Sequence, residues 1–163
     1  MESWQQKVIL LVEDREDDII LFRRALQVAR VPNPLFVVRD GATAARYLAG
    51  VGTFANESEF PLPGLMVLDL KMPGMDGFEL LCWVREQPGL QCLRTVILTS
   101  SDDGHDVFEA SQIGANAFLV KPSDFSGCVD LARVLADHWL RDSCSPQVAR
   151  PPKGTWREEI GGV

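Results

Sequence analysis

Glu13 and Asp14 close the apolar run VILLV, Asp69 stands near the end of LMVLDL, Thr99 closes TVILT, and Lys121 follows AFLV. Two adjacent carboxylates repel each other, and their proton affinities rise unless positive charge lies nearby. Read alone, the Glu13-Asp14 pair is either solvated at a strand end or awaits a cation. Oxygen ligands without His or Cys suit magnesium, which keeps several waters and takes one or two carboxylates. A carboxylate can also serve as a nucleophile and form an acyl-phosphate, which makes Asp69 the nucleophile candidate. The Lys121 ammonium and the Thr99 hydroxyl could then neutralise and hydrogen-bond phosphoryl oxygens. The combination is that of phosphoryl transfer.

Such chemistry requires the five side chains to meet, so the elements between them matter. KVILLV (Lys7 to Val12) is apolar throughout, as a strand buried on both sides is. From Asp17 to Ala29, Ile19, Phe22, Leu26 and Ala29 recur at helical spacing. LFVVR (Leu35 to Arg39) predicts a second strand, and ATAARYLAG a short helix stopped by Gly50. GTFANESEFPLPG is a long polar loop, expected to be exposed. LMVLDL (Leu65 to Leu70) is the third strand, FELLCWVREQ the third helix, TVILT (Thr95 to Thr99) the fourth strand. A helix ending at Gly114 precedes the fifth strand, AFLV (Ala117 to Val120). Asp124 then caps a last helix with Cys128, Leu131, Leu135 and Trp139 along one side.

Strand and helix alternate five times without a hairpin signal. That pattern predicts an α/β fold, a doubly wound parallel sheet of five strands with helices on both faces. In the commoner order, 2-1-3-4-5, the strand ends share one edge, with a crevice between the first and third strands. Glu13 and Asp14 would then face Asp69 across it, giving a divalent cation three carboxylates. The expected organisation is an N-terminal extension (1–6), one domain (7–141) and a flexible tail (142–163).

Composition removes several function classes. The net charge of -7 and the lack of any Lys/Arg cluster argue against a nucleic-acid partner. MESWQQK has no signal-peptide character, and no apolar run is long enough to span a bilayer, so a cytoplasmic protein away from the membrane is expected. The four cysteines show no metal-ligand spacing and read as reduced thiols, mostly small core hydrophobes. His105 and His138 are equally isolated.

The ordered set LLVEDREDD, LMVLDLKMPGMDG, VILTSSDD and GANAFLVKP resembles the receiver domain of two-component response regulators, of the chemotaxis type, over Lys7 to Leu140. The resemblance implies a flavodoxin-like fold with Asp69 as phosphoacceptor. It implies a Mg2+ ligated by Asp14 and Asp69, by Glu13 through a water, and by the backbone carbonyl of Lys71. It gives Thr99 and Lys121 contacts to the phosphoryl group, and makes Phe118 the switch aromatic, acting by packing because it lacks a hydroxyl. Phosphorylation would change the surface of the fourth helix, fifth strand and fifth helix. VEDREDD, VVRDGATAARYL, the long loop, LTSSDDGHDV and HWL further resemble stand-alone regulators partnered with phytochrome histidine kinases. The implied partners are a sensor histidine kinase, namely a bacteriophytochrome, and a downstream protein or histidine phosphotransfer partner.

The implied protein is not an enzyme toward external substrates; it catalyses only its own phosphorylation and dephosphorylation. Two other readings compete. A haloacid-dehalogenase-type phosphatase also uses an Asp nucleophile, but needs a second Asp where this chain has Lys71. A receiver-like module that only binds partners would not need the full set of reactive residues present here. Lys71 departs from the polar residue often found in the family, and its ammonium is expected to alter how fast the acyl-phosphate hydrolyses. In the tail, Trp156 offers an apolar anchor, so beside disorder stands an arm that docks on a second copy in a homodimer.

Overall fold

In the computed structural model, residues 3–100, 103–141 and 148–151 are described. Five strands, β1 (Val8–Val12), β2 (Leu35–Val38), β3 (Pro63–Leu68), β4 (Thr95–Thr99) and β5 (Ala117–Val120), form one parallel sheet in the order β2-β1-β3-β4-β5. Five helices connect and cover them: α1 (Glu16–Val28), α2 (Gly41–Ala49), α3 (Gly77–Glu86), α4 (Gly104–Ile113) and α5 (Phe125–Leu135). This is the doubly wound architecture that the alternation of elements predicts.

Strand side chains alternate between faces, and the core divides accordingly. Leu10, Val12, Met66, Leu68 and Ile97 point toward α2 and α3, where Ala44, Leu48, Leu80, Leu81 and Val84 cover them. Ile9, Leu11, Leu65, Val67, Val96 and Leu98 point the other way, under Ile19, Phe22 and Leu26 of α1 and Val129, Ala132 and Leu135 of α5. Each fully buried aliphatic side chain contributes roughly 1.5–3 kcal/mol, whereas a helix cap contributes about 1 kcal/mol. Burial therefore holds the layers together, and the caps fix where each helix begins. Asp40, Asp76 and Asp124 cap α2, α3 and α5 by accepting from Thr43, Glu79 and Gly127 backbone N–H groups at 2.7, 2.9 and 2.7 Å.

Some boundaries and environments differ from the sequence expectations. The third strand ends at Leu68, not Leu70, so Asp69 stands just past the ladder, where its carboxylate meets the crevice. The last helix gives way to a π-helical turn over Ala136–Leu140. The long loop is polar in composition yet anchored: Phe54 and Phe60 pack with Tyr47 and Phe36, and the Tyr47 hydroxyl donates to the Pro61 carbonyl at 2.7 Å. The described cysteines are not among the fully buried core residues. Cys82 and Cys92 are exposed, whereas Cys128 is half-buried and packs at the edge of the α1/α5 core. Cys144 and Trp156 lie outside the described residues.

Described segments near both termini touch the body. Trp4, in a one-turn 3-10 segment, lies under the Arg141 guanidinium at 4.5 Å. Within the segment expected to be a tail, Val148 packs on the α2/α3 core, Pro151 is buried, and Ala149 N–H donates to the Gly89 carbonyl at 2.8 Å. Among the described residues, no helix is long and apolar enough to cross a membrane.

Candidate functional site

The parallel ladders deliver the site residues to one sheet edge. Glu13 follows β1 and is tied to β2 by its N–H to Val38 O (3.0 Å); Asp69 follows β3 and is tied to β1 by its N–H to Val12 O (3.1 Å). Lys121 follows β5, its N–H donating to the Thr99 carbonyl at 2.7 Å. Backbone pairing thus fixes the mouth of the crevice before any side chain contributes.

There Glu13, Asp14 and Asp69 each place a carboxylate oxygen within 4.8 Å of the others. Glu13 and Asp69 are buried, 3% and 5% exposed. Three carboxylates this close need compensation, and Lys121 supplies it. Its ammonium donates to Glu13 Oε2 at 2.7 Å, Asp18 Oδ2 at 2.8 Å and Asp69 Oδ2 at 3.0 Å. One ammonium has three N–H donors, and all three meet carboxylates. Burial alone would lower the basicity of Lys121, but the bonds to Asp18, Glu13 and Asp69 outweigh it and hold the ammonium above the ordinary lysine range. Burial pushes the Glu13 carboxyl up to about 7; the Lys121 hydrogen bond opposes this and the Asp69 charge adds to it.

One ammonium does not satisfy the site. Asp14 Oδ1 is buried and has no hydrogen-bond partner, a costly state for a carboxylate oxygen. A divalent cation among these oxygens would satisfy that atom and favour the ionised form of Glu13, so the residues present fit a hard metal ion. Asp69 also accepts the Lys71 N–H at 3.3 Å, and Glu13 Oε1 accepts the Arg15 N–H at 3.1 Å. Both bonds lock the carboxylates against their own loops. Gly77, which opens α3, lets that helix close over the loop: a Cβ there would lie 2.4 Å from the Asp69 carbonyl oxygen.

The remaining sequence-predicted residues sit nearby in different settings. Thr99 is fully buried at the end of β4. Phe118, beside Ile97 on β5, is half-buried against the α2/α3 core. Lys71 is exposed in the loop after Asp69. Asp18, on the first turn of α1, is the site residue that reasoning from strand ends missed. Its place in the acidic first turn of the helix that follows Glu13 and Asp14 was legible, but not its contact with Lys121.

Residues 9–133 match the family described as response regulator receiver domain. Response regulator Rcp1 of Synechocystis sp. is 32% identical over 89% of this chain and 97% of its own. The crystal structure of the phosphorylated cyanobacterial phytochrome response regulator RcpA is 33% identical, with TM-score 0.76, and covers 83% of this chain and 94% of that one. The Mn2+-bound form of Rcp1 is 31% identical, also with TM-score 0.76, and covers 86% of this chain and 99% of that one. With the five-stranded order, the carboxylate triad and Lys121 meeting at one sheet edge, and these relatives, the chain belongs to the response regulator receiver domain family, among relatives of the phytochrome response regulators.

Proposed function

We propose that this chain accepts a phosphoryl group on Asp69 from the phosphohistidine of a sensor kinase, with Mg2+ bound beside it. The observation that carries this reading is the Lys121 ammonium joined to Glu13 and Asp69, with the orphaned Asp14 oxygen alongside. Asp14, Asp69 and the Lys71 carbonyl would hold the metal, with Glu13 acting through a water. Bound there, the metal supplies charge neutralisation for the phosphoryl oxygens. An Asp69 carboxylate oxygen forms the new bond to phosphorus as the P–N bond to the kinase histidine breaks, and the electron pair leaves with the imidazole. Lys121 and the Thr99 hydroxyl donate to the transferred oxygens. Attack by water on phosphorus later releases inorganic phosphate and restores the carboxylate. Residues 7–141 suffice for all these steps.

The output is a change of surface. Thr99, drawn toward the phosphoryl oxygens, leaves space that Phe118 fills by packing. The α4/β5/α5 face then favours one of two pre-existing states, which a downstream protein or a histidine phosphotransfer partner reads. A bacteriophytochrome is the kinase this reading favours, because RcpA is named as a phytochrome response regulator and was crystallised phosphorylated. The cytoplasm is the compartment it assigns.

The test is incubation with Mg2+ and a small acyl-phosphate donor, followed by intact-mass measurement. One phosphoryl group is expected on the wild-type chain and none on Asp69→Asn. A gain that persists in the variant overturns the Asp69 assignment, and sustained release of phosphate over many turnovers would instead mark a hydrolase.

A further inference from the structure

Asp18 belongs to none of the roles above, yet its carboxylate lies 2.8 Å from the Lys121 ammonium, between the distances of Glu13 and Asp69. It reaches Lys121 from α1, not from a strand end, and is itself a quarter exposed. Its other charged neighbour, Arg15, is 3.8 Å away and mostly in solvent. Glu13, Asp18 and Lys121 border a largely apolar cleft between α1 and α5, lined also by Leu11, Phe22, Leu98 and Leu131. Apart from Glu13, already bonded to Lys121, those walls offer no side-chain acceptor, so without Asp18 the third Lys121 N–H would be left to water or to the apolar wall.

We propose that Asp18 is a positioning residue that shares the Lys121 ammonium with Glu13 and Asp69 and gives up that hydrogen bond when an anion is seated on Asp69. The proposal rests on the phosphoacceptor reading and adds a regulator to that site. In the resting state Asp18 offsets part of the lysine's charge, which leaves the triad more attractive to a cation. When a phosphoryl group arrives, Asp18 becomes its competitor for the same N–H. The residue therefore acts in opposite directions on cation and anion, and sets the balance between the empty and phosphorylated states.

Opposite signs are what a merely structural role would not produce. The experiment measures Mg2+ binding by calorimetry on the full chain, then binding of beryllofluoride, a tetrahedral phosphoryl analogue, at saturating Mg2+. Asp18→Ala is expected to weaken Mg2+ roughly fivefold and to tighten beryllofluoride by a similar factor, the scale of one charge acting across a few ångströms under water-like screening. Asp18→Asn keeps an acceptor and loses the charge, so it shifts both affinities with the same signs and beryllofluoride less; it also serves if the alanine variant fails to fold. Asp17→Ala, an exposed acid on the same helical turn, controls for unspecific charge and should move neither affinity by more than about twofold, as expected for screened surface charge. Asp18 shifts no larger than those of Asp17→Ala, or two affinities moving together, overturn the proposal. A wild-type chain that binds neither probe removes the phosphoacceptor reading and this inference with it. Wild-type binding with unmoved Asp18 variants removes this inference alone.

Discussion

Lys71 separates what a backbone does at this site from what a side chain does. Its N–H holds Asp69 Oδ1 at 3.3 Å, its side chain is exposed, and the carbonyl is the group proposed for the metal. Lys71→Ala keeps the backbone and removes a long cation from the mouth of the crevice. Phosphorylation should therefore proceed as in the wild type. Water should reach the acyl-phosphate more freely, speeding self-dephosphorylation about threefold, which corresponds to under ~1 kcal/mol of barrier. Intact-mass decay after removal of the donor measures it, and a variant that cannot be phosphorylated would show that the ammonium itself is required. At this scale the sequence was informative for a physical reason. Glu13, Asp14, Asp69, Thr99 and Lys121 all follow or end apolar runs, and parallel strands bring their C-terminal ends to one edge. Asp18 escaped because its approach to Lys121 depends on how α1 leans across the sheet edge, which no strand-end pattern encodes.

Between elements, the least legible contacts are those of the 52–62 loop. Read by composition it is polar, yet Phe54 and Phe60 meet edge to face at 5.1 Å and close on Tyr47. Aromatics in a loop carry no period, so nothing local in the sequence says which way they turn. Burial of Tyr47 there pushes its phenol up to about 12. Arg150 then fastens loop to helix. Its guanidinium donates to the carbonyls of Tyr47 (2.6 Å) and Leu48 (3.2 Å) in the last turn of α2 and to that of Phe60, with Glu57 beside it. A cation on the C-terminal carbonyls of a helix meets the negative end of its dipole. Gly50 makes room, since its φ is +68° and a Cβ there would lie 2.9 Å from the arginine stem. Arg150→Ala leaves these carbonyls short of donors, a loss of about 2 kcal/mol and roughly 4–8 °C in melting temperature for a chain of this size. A thermal melt unchanged within about 1 °C would mean that water replaces the guanidinium at no cost.

At the scale of the whole molecule, the sheet order and its two covered faces follow from the alternation of apolar runs and helical stripes, but the path of the chain after α5 does not. Arg141 lies by Trp4 on the α1/α5 side, whereas Val148–Pro151 lies against α2, α3 and the 52–62 loop. Seven peptide steps separate Arg141 from Val148, a reach of at most about 25 Å. A segment so tethered sees its own acceptor site at an effective concentration on the order of millimolar. At micromolar protein it should fill that site on its own body before it finds another copy's. We therefore expect a chain ending at Arg141 to sediment with the same number of subunits as the full-length chain. It should also melt lower by at least the Arg150→Ala decrement, because Gly50, Gly89 and the α2 carbonyls lose their cover together. An assembly that halves in mass on truncation would place this segment on a neighbouring copy and restore the arm that the sequence allowed. In that event the melting temperature of the full chain should rise with protein concentration, as it does for any interaction between copies, whereas docking on the same body leaves it fixed.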